Sequence, residues 1–167
     1  MTAVPDIAAM DVIDLLRSTG STVAAAESLT GGLVCATLIG VPGASDVVRG
    51  GVVAYTADVK IGLLGVDPVL VAAQGTVSGD VAEQMALRVR ELCGATYGLA
   101  TTGVAGPGAS EGHPPGTVHV AVAGPSGAVS RLVHVPGDRD LVRHSAVAAT
   151  LSLLVARLGE EPHDMQR

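Results

Sequence analysis

The sequence predicts an α/β protein, a three-layer α/β/α sandwich built on a mixed, mostly parallel sheet. Three observations carry that prediction. Segments with apolar residues at helical spacing alternate along the chain with short runs rich in Val and Ala, the order of an α/β fold. One pair of strand-like runs, Gly116–Ala123 and Val129–Val135, is joined by Gly124-Pro125-Ser126-Gly127 and reads as an antiparallel hairpin, which makes the sheet mixed. The 167 residues contain no internal repeat and no linker-like stretch, and that length suits one domain. Residues 1–167 are therefore read as a single unit with its ordered core at about 7–158.

The elements follow in order. Pro5-Asp6 and then Ile7, Met10, Val12, Ile13, Leu15 and Leu16 give an amphipathic helix that ends at Gly20. Thr22–Ala26 is a short apolar strand. After Glu27-Ser28-Leu29-Thr30-Gly31-Gly32 a second helix covers Leu33–Leu38, broken by Val41-Pro42-Gly43. Asp46–Tyr55 is strand-like, with Gly50-Gly51 marking an irregularity such as a bulge. Asp58–Leu64 and Pro68–Gln74 are short helical pieces, the second with Asp67 as N-cap and Pro68 at the first helical position. Ser78 or Asp80 starts a helix that runs through Leu92 and stops at Gly94. Tyr97–Thr102 is the next strand, and a Gly/Pro loop over 103–115 leads to the hairpin. Asp138 caps a last helix to Leu158. Its Ala146–Leu158 segment is apolar on nearly every side, which predicts deep burial or a contact between copies, so a homo-oligomer is expected. The polar tail from Gly159 reads as frayed.

Composition excludes several classes of function. Apolar residues make up 48% and charged residues 16%, which rules out a chain disordered by charge and low hydrophobicity. A net charge of −6 without any basic cluster argues against a dedicated nucleic-acid binder. Tyr55 and Tyr97 are the only aromatic residues, so the core is aliphatic and base stacking is not a recognition device here. Cys35 and Cys93 form neither CxxC nor metal spacing and read as small packed residues. The N-terminus lacks a basic n-region and no run reaches the ~18 apolar residues of a spanning helix, so neither a signal nor a membrane partner is expected and the cytoplasm is the expected location.

Chemistry concentrates at three places. Ser28 sits where a strand turns into a helix, with its hydroxyl exposed and Gly31 and Gly32 free to bring backbone N–H groups close to a developing oxyanion. The plain alternative is that Ser28 or Thr30 only caps the following helix. Lys60 is the single lysine among ten basic residues. A lysine in a low-polarity pocket can become a neutral base, which an arginine cannot; chance is the alternative. Tyr55, five residues earlier, could relay a proton or simply pack at a strand end. The third place is Thr101-Thr102-Gly103-Val104-Ala105-Gly106-Pro107-Gly108, a loop after a strand that can present N–H groups to an anion. It is neither a Walker loop nor GxGxxG, so no cofactor is expected, and no metal either. Arg139 and Arg143 open the last helix and could meet an anionic substrate group, or face solvent.

Five motifs occur together and in one order: Ala26-Glu27-Ser28-Leu29-Thr30-Gly31-Gly32; Gly50-Gly51-Val52-Val53-Ala54-Tyr55 with Lys60; Thr102-Gly103-Val104-Ala105-Gly106-Pro107; Pro115-Gly116-Thr117-Val118; and Gly137-Asp138-Arg139. Over about 7–158 the chain resembles the C-terminal domain family of the competence-damage-inducible protein CinA, including its stand-alone, PncC-like form, a nicotinamide-nucleotide amidohydrolase. The resemblance implies a mixed five-stranded sheet and deamidation of nicotinamide mononucleotide to nicotinate mononucleotide and ammonia. It implies Ser28 as nucleophile, Lys60 as general base and Tyr55 as a further active-site group. Thr30, Gly31, Gly32, Thr102, Gly103 and Arg139 are the expected substrate contacts. Three positions depart from the family pattern. Leu29 replaces a frequent Cys, Ala57 a common Asn, and Ala109-Ser110 a more glycine-rich loop; the Ala57 change bears on substrate preference. The activities of the domain that precedes this one in full-length CinA are not carried over. A non-catalytic nucleotide-binding or interaction module linked to competence and DNA recombination is the rival expectation.

Overall fold

A five-stranded sheet between two layers of helices is what the alternating pattern becomes in the structure, a computed structural model that describes residues 7–160. The elements are α1 (Ala9–Ser18), β1 (Val23–Glu27), α2 (Leu33–Ile39), β2 (Val48–Val53), α3 (Ala57–Gly62), α4 (Pro68–Gln74), α5 (Gly79–Cys93), β3 (Tyr97–Gly103), β4 (Thr117–Gly124), β5 (Gly127–His134) and α6 (Arg139–Glu160). Strand order is β2-β1-β3-β4-β5. β1 pairs in parallel with β2 and β3, and β4 runs antiparallel to both β3 and β5. Four strands thus share one direction and β4 opposes them. Pro5-Asp6, proposed to open the first helix, and the tail beyond Glu160 lie outside the described residues.

The caps read from sequence do what their chemistry suggests. Asp67 Oδ1 accepts the Val69 N–H at 2.8 Å and Ser78 Oγ accepts that of Val81 at 3.2 Å. Asp138 Oδ1 accepts from Leu141 N–H at 2.9 Å. Each satisfies one of the donors that a helix start leaves unpaired. The strand expected over Asp46–Tyr55 is shorter: Ala44–Asp46 turns as a 3₁₀ helix and the strand ends at Val53. The expected irregularity falls one residue early: the β1–β2 register jumps over Arg49, just before the glycine pair.

The two sheet faces differ in bulk. Val23, Tyr97, Leu99, Val118, Val120 and Val122 form the larger face, packed against α1, α2 and α6. Ala24, Ala26, Ala100, Ala121 and Ala123 form the smaller one, against Val81, Met85 and Val89 of α5. α5 lies so close that a Cβ on Gly98 would overlap the Ala86 carbonyl oxygen and stand 2.8 Å from Arg90 Cβ. α6 is long and apolar enough to cross a membrane by length and composition. Its apolar residues are nevertheless spent inside the chain: Val142, Ala146, Leu151 and Leu154 are buried in the larger-face core. The apolar run that suggested a contact between copies is therefore core. Cys35 and Cys93 are free thiols, half-buried against the two core clusters.

Crossovers leave the parallel strands on opposite faces, and in such sheets ligands collect outside the carboxyl ends of the strands. Here Glu27 stands level with Val53 and Thr101. Ser28, Ala54-Tyr55 and Thr102 accordingly emerge together at one sheet edge.

Candidate active site

Ser28 follows the last residue of β1, and its backbone N–H donates to Thr101 O at 3.0 Å, continuing the β1–β3 ladder by one step. The side chain thereby keeps strand alternation and turns toward α3. Lys60, in the middle of α3, is 1% exposed. Its Nζ lies 3.0 Å from Ser28 Oγ, 2.8 Å from Ala54 O and 3.1 Å from Tyr55 O. Burial disfavours the ammonium and lowers the Lys60 pKa from the ordinary 10.5 to about 8, against the opposing pull of the Glu111 carboxylate. No carboxylate hydrogen-bonds Lys60 among the described residues; two carbonyls and a hydroxyl surround it.

The helix after the turn is capped by neither Ser28 nor Thr30. The buried Glu27 carboxylate takes that place, accepting the N–H groups of Gly32 (3.0 Å), Val34 (2.9 Å) and Cys35 (2.9 Å). Thr30 Oγ1 pairs with Thr101 Oγ1 at 2.8 Å. Gly31 and Gly32, with φ of 57° and 101°, supply the left-handed backbone the turn requires. Here the structure departs from expectation: Gly31 N–H donates to Ser28 O at 3.1 Å and Gly32 N–H to Glu27, so both are engaged within the turn. The N–H groups of Leu29 and Thr30 have no hydrogen-bond acceptor among the described residues. Arg143 stabilises the turn from α6, donating to Leu29 O at 3.0 Å and Thr30 O at 3.2 Å.

A cavity of about 320 Å³ opens beside Ser28, a size at the small end of ligand pockets. Ser28, Tyr55, Thr76, Thr102, Glu111 and Arg139 are among its lining residues, as is Gly103. Thr30, Gly31 and Gly32 do not line it: Thr30 is buried against Thr101, Gly32 N–H is turned to Glu27, and Gly31 lies exposed beside Arg143. Thr102 Oγ1 donates to Thr76 O at 2.7 Å, tying the end of β3 to the turn before α5. Arg139 donates to Gly106 O (2.8 Å) and Tyr55 Oη (3.2 Å), which ties together the rim from three separate segments. The Tyr55 phenol is thus directed to Arg139, and it is the Tyr55 carbonyl that meets Lys60. A larger cavity of about 490 Å³ at the outer edge of β2, between Ile39, Val41 and Val48, contains no paired nucleophile and base. Among the described residues no group of three or more His, Cys, Asp or Glu is placed to hold a metal ion.

Glu27 and Thr101 stand inside the motifs named above without a role of their own, and Glu111 stands outside them. An acid closing an otherwise apolar strand was a legible signal for Glu27. Nothing in the chain order links Glu111 to Thr76, which lies 35 residues away.

Residues 6–158 match the family described as the CinA C-terminal domain. The chain belongs to that family. Its relatives include a CinA-like protein of Frankia casuarinae, 51% identical over 152 residues, covering 91% of this chain and 35% of that protein. Another is a CinA-like protein of Myxococcus xanthus, 45% identical over 154 residues, covering 90% of this chain and 36% of that one. The chain therefore spans about a third of the length of these relatives. Two crystal structures match it almost end to end. A CinA superfamily protein from Klebsiella pneumoniae superposes with a TM-score of 0.89 at 28% identity, covering 92% of this chain and 96% of that one. The competence/damage inducible protein CihA from Agrobacterium tumefaciens does so at 0.81 and 34% identity, covering 95% and 99%. The sandwich of this CinA domain is thus the sandwich of its solved relatives. The pocket, lined by Ser28 and Tyr55 with Lys60 buried behind Ser28, sits at the carboxyl edge of the parallel strands in that CinA fold.

Proposed function

We propose that this CinA domain is a serine amidohydrolase that deamidates nicotinamide mononucleotide to nicotinate mononucleotide and ammonia, with Ser28 as nucleophile and Lys60 as general base. One observation carries the reading: Lys60 Nζ, buried with no carboxylate in hydrogen-bond contact among the described residues, lies 3.0 Å from Ser28 Oγ. Nζ donates to Ala54 O, Tyr55 O and Ser28 Oγ, and once it has lost one proton the two carbonyls can keep its remaining N–H groups while its lone pair accepts from Ser28 Oγ, 3.0 Å away. Lys60 takes the Ser28 proton as Oγ attacks the carboxamide carbon. The N–H group of Leu29, a residue that lines the cavity, is the candidate to receive the oxyanion. The C–N bond then breaks as the Lys60 ammonium returns its proton to the departing nitrogen, releasing ammonia and leaving an ester on Ser28. Water, deprotonated by Lys60, attacks that ester, and the proton passes back to Oγ as the acid leaves. Arg139 at the rim and the Thr102-Gly103 backbone are the proposed contacts to the ribose phosphate. No cofactor is called for, and a cytoplasmic setting suits the two free thiols.

The test is ammonia release from nicotinamide mononucleotide by the wild type beside Ser28→Ala and Lys60→Arg. Turnover in the wild type and loss of at least about 10³-fold in each variant, with binding retained, is the expected result. Folded wild type that binds the nucleotide without releasing ammonia overturns it. That outcome would favour a second reading, which the names of the relatives support: they speak of competence and damage induction rather than of an amide substrate. In that reading the domain is a nucleotide-binding or interaction module, and Ser28→Ala leaves its role intact.

A further inference from the structure

The cavity beside Ser28 carries one acidic side chain, Glu111, that the mechanism above leaves unused. Glu111 and Gly112 form the tip of a tight hairpin in which Ser110 and His113 exchange backbone hydrogen bonds of 3.1 and 2.9 Å. Glu111 has a φ of 50° there, the single non-glycine residue with positive φ among the described residues. Such a conformation persists only where its surroundings hold it. The carboxylate is held at its far end: Oε2 accepts the N–H of Thr76 at 2.6 Å and of Val77 at 3.3 Å, and Oε1 accepts the Thr76 hydroxyl at 2.7 Å. Gly75 leaves the room for it, since a Cβ there would stand 2.5 Å from Oε2. Burial opposes the charge, but the Thr76 and Val77 donors outweigh it and keep the carboxyl below its ordinary range. A fixed negative charge therefore stands in the wall of the cavity.

We infer that Glu111 is a specificity-determining residue whose charge selects carboxamides carried on a cationic ring, the N-substituted pyridinium class, over neutral rings of the same shape. The inference rests on the proposed amide substrate. A ribosylated nicotinamide bears a permanent positive charge on its ring, and its 1,4-dihydro form has the same carboxamide and nearly the same size without that charge. The chain has two tyrosines and no other aromatic residue, so an aromatic cage is not what recognises a cation here. Glu111 is the one carboxylate among the residues that line the cavity, and it is placed to meet that charge. Hydrolysis places a new carboxylate in the same cavity, and the same charge disfavours retention of that product.

Calorimetric binding of nicotinamide mononucleotide and of its dihydro form, to the wild type and to Glu111→Gln, tests this. Gln is nearly isosteric and still accepts from Thr76. The wild type is expected to bind the cationic form about tenfold more tightly at low ionic strength, with the gap narrowing as salt is added. In Glu111→Gln the gap closes. Equal weakening of both forms in the variant, or equal binding of both by the wild type, overturns the inference and leaves Glu111 as a loop fastener. Should the variant fail to fold, the salt titration of the wild type decides: a preference insensitive to salt overturns it. Ammonia release, measured on the same samples, separates the two proposals. Selective binding without ammonia sinks the amidohydrolase alone, and ammonia without selectivity sinks the role of Glu111 alone.

Discussion

Lys60 is surrounded by acceptors that leave its ammonium without a counter-ion in hydrogen-bond contact, and the pH behaviour of the protein follows from that. As the base for Ser28, Lys60 must be neutral, so kcat/KM for ammonia release is expected to rise with pH and level off above about 8. Glu111 favours the protonated form of Lys60, so Glu111→Gln moves that midpoint to lower pH. Stability carries the same signature. The folded chain binds fewer protons than the unfolded one between the folded value of about 8 and the ordinary 10.5, so unfolding free energy should climb across that window. The climb from this one buried group is on the order of 3 kcal/mol. Denaturant melts of the wild type beside Lys60→Met read it directly: the variant lacks the slope attributable to Lys60. At this scale the sequence was informative where a residue was rare. A lone lysine among arginines and a serine in a Gly-Gly turn could be singled out, and the structure sets them 3.0 Å apart. Glu111 was not legible, because its meaning depends on a contact between loops far apart in the chain.

At the level of elements, the turn between β1 and α2 depends on a strand residue rather than on the residues of the turn. Removing the Glu27 carboxylate orphans three buried or half-buried N–H groups at once, at about 1–3 kcal/mol for each buried donor. Glu27→Ala is therefore expected to lower stability by roughly 3 kcal/mol or more. It should also loosen the Ser28 geometry, seen as a larger loss in kcat than in nucleotide affinity. The closeness of α5 to β3 gives a second prediction. Gly98→Val has nowhere to place its side chain beside the Ala86 carbonyl and Arg90, and should cost about 3 kcal/mol or more or prevent folding. Leu99→Val, pointing to the larger face, should cost about 1 kcal/mol. Thermal melts of the two variants decide between a sheet with unequal faces and one without. Helices were legible because caps and breakers are local; Asp67, Pro68 and Gly94 mark ends that the structure keeps. The β2 boundary was not, because Ala54 keeps its N–H on Glu27 O of β1 while its carbonyl turns to Lys60, a tertiary demand that strand propensity does not encode.

For the molecule as a whole, layer order and the hairpin could be read from periodicity, whereas strand order, the unequal faces and the meeting of three strand ends could not. Those depend on which crossover passes over which face, and Ala-rich strands give no hint of how close a helix will come. Of the two outcomes its sequence allowed, deep burial or a contact between copies, the apolar last helix takes the first, since its hydropathy serves the interior of its own chain. Sedimentation of the purified protein tests the expected homo-oligomer independently of that helix. The scarcity of aromatic residues has a practical consequence. Tyr97 is 1% exposed in the core, and Tyr55 is 57% exposed at the rim with its phenol against Arg139. Without tryptophan, all the intrinsic emission of the protein comes from these two rings. One of them reports on occupancy of the pocket and the other on integrity of the fold. Tyr97→Leu leaves a single optical probe at the rim, and Tyr55→Leu leaves one in the core. Ligand titration and unfolding can then be followed on the unlabelled protein through two separable signals.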